Sequence, residues 1–214
     1  MKRRDFSMQL AAAGMGSLWA GSAGAQGGPV EGRHYTKLAQ PVPVSAPAGK
    51  IEVVEFFSYG CPHCYALEPT LEAWAKQLPN DVVLKRVPVG FNALYENYQK
   101  IFYALEAMGQ LEPMHRKVFD AIHQQRQRLD KEADIAAFMA ANGLDGAKFI
   151  ELYKSFSVQS KARQAQQLSQ AYKIDGVPTM AVQGRYTTSG SQAGSNERAL
   201  AVTDALVQGV RKPS

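Results

Sequence analysis

A strand-like run that ends in a Cys-x-x-Cys and passes straight into helical spacing admits few folds. Residues 51–58 are apolar and β-branched or aromatic, apart from Glu52, Glu55 and the closing Ser58. Cys61-Pro62-His63-Cys64 follows, and Leu67, Leu71, Trp74 and Leu78 recur at helical spacing through residue 78. The pattern predicts a strand, a cysteine pair and a helix in immediate succession. That is a redox arrangement more than a structural one.

Sulfurs at positions i and i+3 around a helix start can reach disulfide geometry, which needs Cα atoms about 5.5 Å apart. Closing so short a loop removes little entropy from the unfolded chain, so the bond would be a poor staple. Half of a zinc site is no better supported. The chain has two cysteines, and His34, His115 and His123 form no closely spaced pair. A pair of inert core thiols fits badly with the Pro-His between them.

Cys61 is placed at or just before the first helical turn, where unpaired N–H groups and the helix dipole favour a thiolate. Pro62 suits the first helical position, its missing N–H being no loss there. His63, cationic or donating a hydrogen bond, adds to the stability of that thiolate. Cys64 falls one turn in and is expected to be the more buried, resolving thiol. A stabilised thiolate makes the bridge easier to reduce, and so a stronger oxidant of other thiols.

Residues 1–25 read as a signal peptide. Lys2, Arg3 and Arg4 give a basic start, residues 10–20 a short apolar run, and Ala23-Gly24-Ala25 a cleavage site ahead of Gln26. The run is too short for an anchor, which takes about 20 residues. Arg3-Arg4-Asp5-Phe6 also fits a twin-arginine signal, so a Sec or a twin-arginine route would lead to the periplasm. Removing 25 of 214 residues leaves 189, enough for one domain with a large insertion. It also removes three basic residues and Asp5, lowering the net charge from +5 to +3. With Lys and Arg scattered and not striped, no nucleic-acid partner follows.

Residues 82–89 read as a second strand. Residues 92–171 hold no convincing strand and several amphipathic helices, whose apolar faces (Tyr98, Ile101, Phe102 and Leu105; Met114, Val118 and Ala121) are expected to build a core. Asp130 is expected to cap a third helix closed by Gly143, and Asp145 a fourth carrying Phe149 to Phe156. Strand signals return at 180–182, Gln183-Gly184 reads as a hairpin turn, and 185–188 as its return strand. Residues 189–195 read as a Gly/Ser-rich loop, and Asn196 as the cap of a last helix.

The segment Glu55-Phe56-Phe57-Ser58-Tyr59-Gly60-Cys61-Pro62-His63-Cys64-Tyr65, together with Gly176-Val177-Pro178-Thr179, resembles the DsbA family of periplasmic thiol:disulfide interchange proteins. The resemblance implies an α/β, thioredoxin-like fold with an inserted all-helical domain: 26–91 and 172–214 would form the thioredoxin-like domain, and 92–171 the insertion. It implies that Cys61 is the exposed nucleophile, Cys64 its buried partner and His63 the thiolate's stabiliser. Val177-Pro178 would be a cis-proline loop across from the sulfurs, where the Val177 backbone pairs with an extended substrate segment. The implied activity is a protein disulfide oxidase serving unfolded or newly exported cysteine-containing proteins. Reoxidation would come from a DsbB-like membrane quinone reductase, and the protein would act as a monomer without metal or dissociable cofactor.

Glu55 stands out because a central strand covered on both faces should be almost continuously apolar. A buried carboxylate is costly unless protonated, paired or functional, and a raised pKa and a proton-relay role are expected for it. Glu52 is expected at the strand edge, reaching solvent. The family often pairs the residue at Glu55 with a lysine on the next strand; here Lys85 and Arg86 both qualify, and an arginine could not release a proton. Rival readings are a disulfide isomerase or reductase, a thiol chaperone, and a copper-handling protein. Only about 25 residues separate Gln26 from the first sheet strand, too few for an isomerase's dimerisation domain. Met180 beside Pro178 is the one close candidate for copper.

Overall fold

In the computed structural model, which describes residues 28–211, the first long strand is β2 (Ile51–Phe57), and all seven of its residues are buried. The expected signal peptide, its cleavage site and the twin-arginine pair lie outside the described residues. Around β2 run β1 (Thr36–Lys37), β3 (Val82–Pro88), β4 (Thr179–Val182) and β5 (Tyr186–Ser189), in the sheet order β1-β5-β4-β2-β3. β3 is parallel to β2, with Val54 opposite Lys85 and Glu55 opposite Arg86. β4 is antiparallel on the other side, with Glu55 opposite Met180. A strand hemmed in this way has no solvated face, which is why its sequence reads as a nearly unbroken apolar run.

The β4–β5 hairpin turns at Gln183 and Gly184, with φ of 50° and 65°. Positive φ at both central residues is the type I′ requirement. A side chain on Gly184 would also strike the Val42 carbonyl, while Val42 N–H donates to the Gly184 carbonyl at 2.8 Å.

Helix α1 (Pro62–Ala75) connects β2 to β3. Five helices separate β3 from β4: α2 (Ala93–Ala107), α3 (Leu111–His123), α4 (Glu132–Ala141), α5 (Gly146–Tyr153) and α6 (Phe156–Ala171). After the hairpin come the one-turn α7 (Gly190–Ala193) and α8 (Asn196–Arg211). Two cores result. One unites Val54 and Phe56 with Ile101, Phe102, Phe119 and Tyr172 of the helical block, and it contains both cysteines. The other packs Ile51, Val53 and Met180 against Leu67 and Leu71 of α1 and Leu200 and Leu206 of α8. The cysteine pair sits where the sheet end meets the helical block.

Several boundaries differ from the sequence reading. α1 stops at Ala75 and not Leu78; Gln77 and Leu78 form only turn bonds to Trp74 and Ala75, because Pro79 bars a further helical turn. Asp130 does not cap α4. It pairs with Arg128 at 3.0 Å, and Lys131 takes the cap position without a side-chain bond. Asp145 does cap α5, accepting Lys148 N–H at 2.9 Å. Phe156 is not on α5 but opens α6, 79% exposed, behind the Ser155 cap. The loop expected at 189–195 holds α7. Ser195, not Asn196, caps α8, accepting Arg198 N–H at 3.1 Å.

Candidate active site

The turn after β2 delivers Cys61 to the head of α1 in an extended conformation, φ −92° and ψ 116°, with Pro62 starting the helix. Its sulfur occupies the place of a capping oxygen, accepting the Cys64 N–H at 3.4 Å. Gly60 permits the close fit: a β-carbon there would come within 2.7 Å of the Tyr95 ring and 2.8 Å of Tyr98.

Both cysteines are free thiols. Cys64 is fully buried, and Cys61, expected to be exposed, is only 5% exposed. What covers it is the loop before β4: Cys61 Sγ donates to the Val177 carbonyl at 3.3 Å, and the Val177–Pro178 bond is cis. Pro62 and His63 lie exposed at the helix tip. A cleft of about 330 Å³ beside them is lined by His63, Val177, Pro178, Ser189 and Asn196.

The two sulfurs have opposite acidities. The Cys61 thiol is lowered to about 6, first by the Cys64 thiol donating toward it and against the opposing effect of burial. The Cys64 and His63 backbone N–H groups and the His63 charge lower it further. Cys64 is pushed well above the usual thiol range, by burial first and then by Cys61. Cys61 can therefore leave as a thiolate, and Cys64 must take a proton when it does.

Beneath the sulfurs lies a buried polar cluster. Glu55 is 0% exposed, and the parallel register makes Arg86 its neighbour, with Nε 3.5 Å from Glu55 Oε2. Lys85 points elsewhere, donating to Ser45 Oγ at 3.0 Å. Arg86 also reaches Glu68 of α1, Nη2 to Oε1 at 2.6 Å, and His115 Nε2 is 3.5 Å from that same oxygen. Burial, with the Glu68 charge beside it, raises Glu55 to about 8. For Glu68 burial works upward too, but His115 and Arg86 outweigh it and hold it below the ordinary carboxylate value. The two carboxyls are thereby pushed apart, Glu55 toward the protonated form and Glu68, opposite Arg86, toward the charged one.

Glu52 does not reach solvent as expected. It is 3% exposed and accepts Ser45 N–H and Oγ–H at 2.9 and 2.6 Å. Glu68, His115 and Tyr59 were not expected at a site, and spacing could have flagged two of them. Cys64, Leu67, Glu68 and Leu71 share one buried stripe of α1, and His115 shares one of α3 with Val118 and Phe119.

A family model described as a DSBA-like thioredoxin domain matches residues 52–196. The thiol:disulfide interchange protein DsbA of Burkholderia cepacia is 45% identical over 183 residues, covering 86% of each chain. The protein of that name from Bordetella pertussis is 45% identical over 215 residues, covering 99% of this chain and all of its own. The crystal structure of Pseudomonas aeruginosa DsbA superposes with a TM-score of 0.81 at 43% identity, covering 84% of this chain and 93% of that one. DsbA from Xylella fastidiosa gives 0.80 at 30% identity, covering 86% and 98%. A thioredoxin-like sheet interrupted by helices, with a Cys-x-x-Cys heading its first long helix, belongs with these proteins: the chain is a member of the DsbA-like thioredoxin family, a thiol:disulfide oxidoreductase.

Proposed function

We propose that this oxidoreductase donates a Cys61–Cys64 disulfide to newly exported proteins in the periplasm. A client thiolate attacks Cys61 Sγ, the Cys61–Cys64 bond breaks, and Cys64 leaves with the electron pair. Cys64 is too basic to remain a thiolate and takes a proton from Glu55. A second client thiolate then attacks the client sulfur of the mixed disulfide, and Cys61 departs as a thiolate. Two electrons pass from client to protein, and Glu55 is left one proton short.

The observation that carries this reading is the sulfur cap: Cys61 Sγ accepts the Cys64 N–H at a helix start, which favours the leaving thiolate over the bridge. Val177 and Pro178, facing that sulfur, are suited to hold an extended client by strand addition. His63 contributes charge at the helix tip, and Pro62 fixes the first turn. Reoxidation by a DsbB-like membrane quinone reductase, action as a monomer, and export by a cleaved signal complete the proposal. They are supported by the family relationship and the basic-then-apolar start of the sequence.

The test is to mix the oxidised protein with a reduced, unfolded client and follow loss of client thiols. Stoichiometric loss, abolished by Cys61→Ser, is expected. A client protected from aggregation equally well by Cys61→Ser, with no thiol loss in either protein, would mark a chaperone instead.

A further inference from the structure

The client seat proposed above lies on the short segment between α6 and β4, and one residue sets its charge. Asp175 stands two positions before Val177, whose carbonyl receives the Cys61 thiol, so at most about 7 Å separates their Cα atoms. The cleft of about 330 Å³ at the sulfur face is walled by Asp175 together with His63, Val177 and Pro178. Among the described residues, no lysine or arginine lines it.

The hydroxyls around it are already engaged within the fold. Ser189 Oγ accepts the Gln192 N–H at 3.3 Å and Ser195 Oγ the Arg198 N–H at 3.1 Å, each capping a helix. Thr179 Oγ1 donates to the Gly176 carbonyl at 2.8 Å. Asp175 differs. It is exposed, and among the described residues its carboxylate makes no hydrogen bond and no ion pair. Lys37 and Lys173 line the adjoining cavity of about 500 Å³, whose wall Asp175 shares, but neither pairs with it.

We propose that Asp175 is a specificity-determining residue, favouring client segments that carry lysine or arginine close to the reacting cysteine and disfavouring acidic ones. A client extended against the Val177 backbone runs past Asp175 within about two residues of the paired position, since two such chains advance in step at about 3.3 Å per residue. A basic side chain there meets an unpartnered carboxylate. An acidic one meets like charge, and His63 is the only other ionisable group on the cleft wall. The pair forms at an exposed surface, so it selects between clients instead of holding one on its own. Its effect is about two- to fivefold in rate at low salt, and less as salt screens it. The inference rests on the Val177 segment seating the client.

The test uses reduced two-cysteine peptides, identical except for Lys, Gln or Glu placed two residues before or after one cysteine. Their oxidation is followed with the wild type, Asp175→Asn and Asp175→Lys. A neighbouring charge also alters the peptide thiol's own acidity, so the quantity read is the Lys-to-Glu rate ratio and its change between proteins. On the side of the cysteine that runs along Asp175, the ratio is expected to drop about two- to fivefold in Asp175→Asn and further in Asp175→Lys. In the wild type it should contract in about 0.5 M salt. The Gln peptide should be oxidised equally by all three proteins, with the Cys61 thiolate titration unmoved. A ratio unchanged across the three proteins on both sides overturns the role of Asp175, while oxidation of the Gln peptide still upholds the oxidase reading. If the wild type oxidises none of the peptides, the oxidase reading falls and the inference with it. A Gln-peptide rate that changes in step with a shifted Cys61 titration overturns selection in favour of an effect on the sulfur.

Discussion

The head of α1 and the carboxylate cluster one turn below it both hold charge inside the protein, by opposite means. At the head, Cys61 is served mainly by groups that belong to the helix start, and a thiol close to neutrality results. In the cluster, Glu55, Glu68 and Arg86 face one another and His115, whose other ring nitrogen meets Tyr59 Oη at 2.7 Å. The stabilisers of Cys61, the Cys64 thiol first, all lie within one turn of it, whereas the cluster draws its members from four separate elements. The first site should therefore yield to mutation in its chemistry and the second, apart from the proton that Glu55 supplies, mainly in its stability.

The largest contrast is expected from Cys61→Ser, which should abolish client thiol loss while leaving the urea midpoint close to that of the reduced wild type at about pH 5, below both the folded and the unfolded thiol pKa. Arg86→Leu should do the reverse in kind. It strands Glu68 without a counter-charge, and breaking a buried pair of this sort costs about 3–5 kcal/mol in denaturant unfolding. A midpoint unchanged by Arg86→Leu would mean that the cluster is not held together by its charges.

Next in size are the determinants of Cys61 acidity, read from the ultraviolet absorbance of its thiolate. Cys64→Ala removes the strongest stabiliser and should raise the Cys61 pKa more than His63→Ser, which removes only a side-chain charge and leaves the backbone N–H in place. The opposite order would put the exposed imidazole in command.

In pH dependence the two regions oppose each other. Cys61 titrates near 6 when folded and about 8.5 when unfolded, so between those values the folded chain binds fewer protons. Its contribution to the stability of the reduced protein rises with pH across that window. Glu55 titrates near 8 when folded and about 4.3 when unfolded, so its contribution falls between those values. Urea melts of the reduced protein at a series of pH values should lose the falling component in Glu55→Gln and the rising one in Cys61→Ser.

What the sequence disclosed follows the same division. Cys61, Pro62, His63 and Cys64 were legible because their chemistry depends on neighbours within one helical turn. The Gln183-Gly184 turn was legible for the same reason. Glu55 could be singled out as an anomaly in an apolar run, but its partner could not be chosen, because Lys85 or Arg86 depends on the register of a parallel strand distant in sequence. Glu52 shows the limit from the other side: it was given to solvent because the Ser45 that buries it belongs to an irregular segment with no pattern to read. The same holds for Cys61 itself, whose cover comes from Val177, 116 residues away.

The most direct measurement is the equilibrium of the Cys61–Cys64 pair with a glutathione redox buffer, followed by separating the two forms after acid quenching. Stabilisation of the Cys61 thiolate by the helix start should leave the dithiol dominant even where oxidised glutathione is plentiful. A bridge that persists when reduced glutathione is in large excess would contradict it.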